Sequence, residues 1–284
     1  MFFKKINIKQ IFLPNKFQII VRRIFPKIKG YWLPLSWIFM LVPSKLKAKI
    51  SFQNIQIEIP IDLSDPYQLD IFCKDKYELM EPFVISKLLP KYGSFFDVGA
   101  NCGWYTRIVS KLKNEVKVFA FEPNMKAFSY LKEFCSEKIL TLPIAVADNS
   151  VDKVKSIKPF YRQSSSTYFK KSSKGINSIS LDLFSEKNNI VPDLIKIDVE
   201  GFELKVLRGA DKLLDICNYF LIEVNNSNSV KGCDYDPNIL FDILRKKKFY
   251  FKYDISNKNN MIKEINTNTT GTILFSKEDI KSLF

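Results

Sequence analysis

The sequence predicts an α/β protein built on a doubly wound, mostly parallel sheet, with a basic, apolar N-terminal extension. Three observations carry that reading. From residue 93 onward, short apolar runs alternate with stretches of helical period, and strand–helix alternation implies parallel βαβ units. Two of those runs end in turns bearing acids and glycine that open directly into helices, where open parallel sheets hold ligands. Charge is also concentrated at one end. Residues 1–50 carry eleven Lys/Arg and no acid, so of 44 bases and 30 acids the rest of the chain keeps 33 against 30. A basic arm on a near-neutral body differs from a uniformly basic nucleic-acid binder.

Taken in order, the first fifty residues alternate basic and apolar clusters and end in the run Tyr31–Val42, too short to span a bilayer and broken by Pro34. Two readings of this arm stand: a helical extension packed on the domain, or a membrane-surface anchor with Trp32, Trp37 and Phe39 at headgroup level. Residues 51–92 read as a lead-in to the core. Isoleucine at every second position over Ile55–Ile61 predicts a half-buried strand, and a helix is expected over Lys76–Leu89, ended by Pro90. The core domain spans 93–284. Strands are expected at Phe95–Val98, Val116–Phe121, Leu140–Ala147, Leu194–Val199 and Tyr219–Val224. Helices are expected at Trp104–Leu112, Met125–Ser136, Phe202–Leu214 and Pro237–Lys247. The Ser-, Lys- and aromatic-rich stretch 151–180 has no helical period and reads as an inserted hairpin or loop, in which Arg162 to Tyr168 either grips a polar ligand with its hydroxyls, amide and cation or is a plain solvated loop. Tyr250–Ile255 and Thr272–Phe275 read as a closing strand pair.

The chain has no histidine, which removes histidine-based triads and histidine-ligated metals. Five scattered cysteines without a Cys-x-x-Cys pair suggest neither a disulfide framework nor zinc, and a reducing cytoplasmic setting, extending to the inner membrane surface if the arm binds lipid, fits best.

The chemistry sits in a few motifs. Phe96-Asp97-Val98-Gly99-Ala100-Asn101-Cys102-Gly103-Trp104 is an apolar strand running through a glycine turn into a helix. Its Gly-x-x-x-Gly spacing is neither a dinucleotide fingerprint nor a phosphate loop. Glu122, 25 residues after Asp97 at the end of the next strand, is placed to accept both hydroxyls of a ribose. Asp148 ends Ala145-Val146-Ala147-Asp148 and stands either against an adenine amino group or as a turn cap. Leu194 to Glu203 is a buried strand ending in Asp198, Glu200 and Glu203 around Gly201, and Leu221-Ile222-Glu223-Val224-Asn225 brings another carboxylate to the same rim. Glu203, in a first helical turn, also has a plain dipole-compensating reading.

Together FDVGANCGWYT, FAFEP, AVAD, SLDLF, DLIKIDVEGFELKVLRGA and LIEVN, in this order over residues 77–225, resemble the FkbM family of methyltransferases. The resemblance implies the Rossmann-like seven-stranded fold, S-adenosylmethionine as donor and a hydroxyl oxygen as acceptor. It places Gly99, Asn101 and Gly103 around the donor's amino-acid part, Glu122 on its ribose, and Asp198 and Glu200 near the methyl group. It also gives Asp182 in SLDLF a structural role. The basic arm lies outside the shared pattern.

Without histidine, a rim carboxylate is the expected base: Asp198, with Glu200 or Glu203 assisting. A divalent ion on Asp198, Glu223 and Asn225 is the less favoured alternative. A glycan, glycolipid or small-molecule acceptor is expected. The rival functions are a nucleic-acid methyltransferase, disfavoured by the near-neutral body, and a non-catalytic module that keeps the fold.

Overall fold

A computed structural model describes residues 45–52, 55–62, 68, 71, 80–149, 152–157, 168–225, 235–255 and 271–283. Most of the basic arm, Arg162–Thr167 and the 256–268 segment lie outside these residues. The chain divides into two compact units, Met1–Leu79 with Arg162–Ser165 and Met80–Tyr161 with Ser166–Phe284. In the first, β1 (Lys45–Phe52) and β2 (Ile55–Asp62) pair antiparallel, from Lys45 opposite Asp62 to Phe52 opposite Ile55. The Ile repeat thus forms the expected strand, and Ile57 and Ile59 are buried. The boundary expected at residue 50 falls inside β1.

The second unit opens with α1 (Met80–Leu88), then β3 (Ser94–Val98), α2 (Trp104–Leu112), β4 (Lys117–Phe121), α3 (Met125–Leu131) and β5 (Ile139–Leu142). Short strands β6 (Ala145–Val146), β7 (Lys153–Ile157), β8 (Tyr168–Lys171) and β9 (Ile176–Ile179) follow. The chain continues through α4 (Leu181–Asn188), β10 (Leu194–Ile197), α5 (Glu203–Arg208), α6 (Asp211–Ile216) and β11 (Tyr219–Val224). It closes with α7 (Pro237–Lys246), β12 (Phe251–Asp254) and β13 (Gly271–Ser276).

Seven strands form one sheet in the order β12-β13-β11-β10-β3-β4-β5, with β13 antiparallel to both neighbours and the other pairings parallel. This is the doubly wound, mostly parallel α/β sheet expected. The strands are near-continuous apolar runs because helices cover both faces. On one face Phe96, Phe119, Phe121 and Phe184 meet edge to face at centroid distances of 4.9–5.8 Å, the favoured aromatic geometry.

Four local departures have physical causes. The single strand expected over Leu140–Ala147 is two, because Pro143 cannot donate to the ladder; β5 stays in the main sheet and β6 pairs with β9. The stretch 151–180 is more than a hairpin: β7, β8 and β9 join β6 in a second sheet of order β6-β9-β7-β8. The helix expected over Phe202–Leu214 breaks into α5 and α6 at Gly209, where a Cβ would stand 2.3 Å from the Ala147 carbonyl oxygen. Finally, α4 was hidden in SLDLF; Ser180 caps it by accepting the Leu183 amide, and Asp182 accepts the amides of Lys212 and Leu213. Among the described residues no helix is long and apolar enough to cross a membrane.

Candidate active site

The chain runs outward from β3 to β4 and β5, then restarts at β10 on the other side of β3. Strand order reverses between β3 and β10, and in open parallel sheets the crevice beyond the carboxyl ends opens at such a reversal. The motif residues gather around that edge.

The β3–α2 turn is held by the amides of Gly99 and Ala100, which both donate to the Phe121 carbonyl at 3.0 Å. Gly99, Asn101 and Gly103 all have positive φ. At Gly99 the reason is specific: a Cβ would lie 1.8 Å from the Asp198 carbonyl oxygen. What presses on this glycine is the neighbouring strand end, so its role is to let the two acidic turns touch, not only to open backbone to a ligand.

Glu122, just past β4, is 6% exposed. Its Oε2 accepts the Asn101 amide at 2.8 Å and its Oε1 the Asn124 amide at 2.7 Å. Burial pushes its carboxyl up to about 7 against the pull of those amides, with Asp198 and Asp97 adding to the rise. Asp97 is wholly buried. Its Oδ2 accepts Thr106 Oγ1 at 2.6 Å, and its Oδ1 lies 3.9 Å from Lys196 Nζ. Burial raises its pKa while Lys196 and Thr106 oppose the rise. These contacts make Asp97 an anchor between β3, α2 and β10.

Lys196, which the sequence reading overlooked, organises the other side. It stands in register beside Asp97 on β10 and is 2% exposed. Its Nζ lies 3.0 Å from Asp198 Oδ2 and 4.2 Å from the centre of the Tyr105 ring. The available signal was a lone lysine inside the apolar run Leu194-Ile195-Lys196-Ile197, since a charge at a central strand position must be paired.

Asp198 follows β10, with its side chain 24% exposed. Burial raises its pKa, but Lys196 and a hydrogen bond from Glu223 outweigh that and hold it below the usual carboxylate range. Glu223 is driven upward by the Asp198 charge and by burial, so this pair shares a proton that resides on Glu223. Oxygens of Asp198, Glu200 and Glu223 all lie within 4.8 Å of one another. Glu200 thus joins Asp198 and Glu223, and the backbone N–H of Asn225 donates to the Tyr235 hydroxyl at 3.0 Å.

Two further candidate residues have protein partners of their own. Glu203 is wholly buried. Its Oε1 accepts the Gly201 amide at 3.0 Å and the Val199 amide at 3.4 Å, and burial pushes its carboxyl up to about 8. It braces the turn that carries Glu200. Asp148 pairs with Lys205 of α5 at 3.5 Å, against the backbone at Gly209.

Residues 97–253 match the family model described as the methyltransferase FkbM domain. Over 134 residues the chain is 31% identical to the hexuronic acid methyltransferase AglP of Haloferax volcanii, covering 46% of this chain and 55% of that relative. The chain therefore spans little more than half the length of the curated relative it matches. Among solved structures, a TehB-like SAM-dependent methyltransferase from Corynebacterium glutamicum gives a TM-score of 0.43 at 12% identity, over 76% of this chain and 96% of its own. A precorrin-6y C5,15-methyltransferase from Geobacter metallireducens gives 0.38 at 12% identity, over 71% of this chain and 89% of its own.

Proposed function

The chain belongs to the FkbM family of methyltransferases, and from that premise we propose that it moves a methyl group from S-adenosylmethionine to a hydroxyl oxygen of a glycan, glycolipid or small-molecule acceptor. The observation that carries the reading is the pairing of two unlike acids beside one turn: buried Glu122 on one side of β3 and ionised Asp198 on the other. A glycan is the favoured acceptor because the curated relative is a hexuronic acid methyltransferase.

The residues fit the donor. Glu122 has spent one acceptor site of each oxygen on a backbone amide, and once ionised a carboxylate offers about four, so in that form it can still hold a ribose diol. A rim of Asp198, Glu200 and Glu223 suits a cationic sulfonium. The donor supplies an electrophilic methyl carbon. Asp198 accepts a hydrogen bond from the acceptor hydroxyl and aims its oxygen at that carbon. Asp198 would take up the proton that the hydroxyl loses as the methyl group moves from sulfur to oxygen. Lys196 keeps Asp198 charged until then, and Glu223 fixes its second side. Glu200 completes the rim, and Glu203 supports it through the Gly201 turn. No step here requires a metal, and transfer rates with and without a chelator check this: loss of activity restored by magnesium would revive an ion on Asp198 and Glu223.

Titrating the protein with S-adenosylhomocysteine tests the donor site. Saturable binding is expected, weakened about tenfold or more in Glu122→Ala by loss of charge-assisted hydrogen bonds; absence of binding by the unaltered protein would end the proposal. Mass spectrometry of host surface glycans with and without the gene then tests the acceptor, the expected difference being one O-linked methyl.

A further inference from the structure

The sheet edge opposite the candidate site carries a surface that methyl transfer does not use. Tyr92, Val191, Ile216 and Tyr250 are 75%, 56%, 55% and 64% exposed. Each precedes a strand by no more than three residues: β3, β10, β11 and β12 in turn. Those four strands run the same way, so all four side chains lie at one edge.

Short contacts tie them into a row. Ser94 Oγ donates to the Val191 carbonyl at 2.7 Å, and Cys217 Sγ to the Pro192 carbonyl at 3.1 Å. Lys277 Nζ donates to the Asp215 carbonyl at 2.7 Å and lies 5.0 Å from the Phe249 ring centre, beside Tyr250. Across β3, β10, β11, β13 and β12 such a row runs about 19 Å at the usual strand spacing. Isolated exposed apolar side chains are ordinary, but an aligned set with an aromatic at each end is not.

Lysines stand beside it. Lys91 lies 5.0 Å from the Tyr92 ring centre, Lys248 accepts the Tyr250 amide through its carbonyl, and Lys277 sits between Ile216 and Tyr250. The nearby acids are engaged: Asp193 accepts the Ser94 amide at 2.7 Å, and Asp215 pairs with Lys247 at 2.7 Å.

We propose that this edge rests on an anionic phospholipid surface, with the two tyrosines at headgroup level, Val191 and Ile216 dipping below, and the lysines on phosphates. Amphipathic aromatics with lysines are the side chains that the membrane interface favours. The first fifty residues, with eleven Lys/Arg and no acid, favour the same partner by charge. Strands of about five residues would hold the candidate site about 17 Å above the lipid, facing the water.

The test uses the full chain with vesicles of phosphatidylcholine, with and without phosphatidylglycerol. Tyr92→Ser/Tyr250→Ser and Lys91→Glu/Lys248→Glu are compared with Leu183→Ser, an exposed leucine of α4 outside the row. The unaltered protein should sediment only with the anionic vesicles. Both double variants should lose about tenfold or more of that partition, while Leu183→Ser retains it. S-adenosylhomocysteine binding should stay unchanged throughout, which reports that the variants are folded. Equal binding to both vesicles, no binding, or double variants that bind like the unaltered protein would overturn the proposal. So would a dimer in analytical ultracentrifugation that the tyrosine variant breaks.

Discussion

At the scale of single residues, the site depends on one buried cation among many carboxyls. Lys196 meets Asp198 at 3.0 Å, and the lysine end of the pair is buried where water offers little screening. Asp198→Asn keeps the shape but removes the charge that receives the hydroxyl proton. Methyl transfer should fall about 100-fold or more, while S-adenosylhomocysteine, which shares ribose and adenine with the donor, should bind within a few-fold of normal. Full turnover by that variant would remove Asp198 from the mechanism. Gly99 is the complementary case, where shape decides. Alanine there combines a positive φ with a Cβ 1.8 Å from the Asp198 carbonyl oxygen, so β3 and β10 must part. A cost of about 2 kcal/mol or more is expected in chemical denaturation, together with weakened S-adenosylhomocysteine binding, because the same turn presents the Asn101 amide to Glu122.

At the scale of elements, the face lined by Phe96, Phe119, Phe121 and Phe184 joins three neighbouring pieces, β3, β4 and α4. Phe96→Ala empties its centre and should cost about 3–5 kcal/mol in urea denaturation; a loss under about 1 kcal/mol would show that the cluster relaxes into the gap. Most elements were legible from sequence because their apolar runs are long and their glycine turns sharp: β3, β4, β10, β11, α2 and α7 lie where their patterns put them. Less legible features were decided by partners distant in sequence. The α5–α6 break needs the Ala147 carbonyl against Gly209, and β6 leaves the main sheet to pair with β9. In the site, the positions of Glu122 and Asp198 followed from the rule that acids at strand ends face the crevice. Asp97, Asp148 and Glu203 lie near the same strand ends in sequence, and the structure sets them against Thr106, Lys205 and the Gly201 amide. Which acids keep a face open is set by packing, which strand periodicity does not encode.

At the scale of the whole molecule, the acid-rich edge sets how stability varies with pH. In the folded chain burial holds Glu122 at about 7 and Glu203 at about 8, against 4.5 for an ordinary glutamate. A raised pKa means that the folded state keeps a proton the unfolded chain has released. Their contribution is therefore complete below about pH 4.5 and is lost as pH rises through 7 and 8. Each carboxyl gives a downward slope of about 1.4 kcal/mol per pH unit while the two states differ by a proton. Asp198, held below its ordinary value of 3.8, acts in the opposite sense, and only at lower pH, where its charge is lost. The donor-free protein should thus be most stable near pH 5 and melt at progressively lower temperature toward pH 8. Glu203→Gln, which cannot release a proton, should flatten that decline, and thermal denaturation at half-unit steps from pH 5 to 8 measures both curves. If melting temperature rises over that range, the buried carboxyls are ionised and the electrostatic description of this edge is wrong. Donor binding gives an independent check: a sulfonium beside Asp198 and Glu200 favours their neighbours' charged forms. The stabilisation by S-adenosylmethionine should therefore be larger at pH 8 than at pH 6, whereas neutral S-adenosylhomocysteine should show a smaller difference.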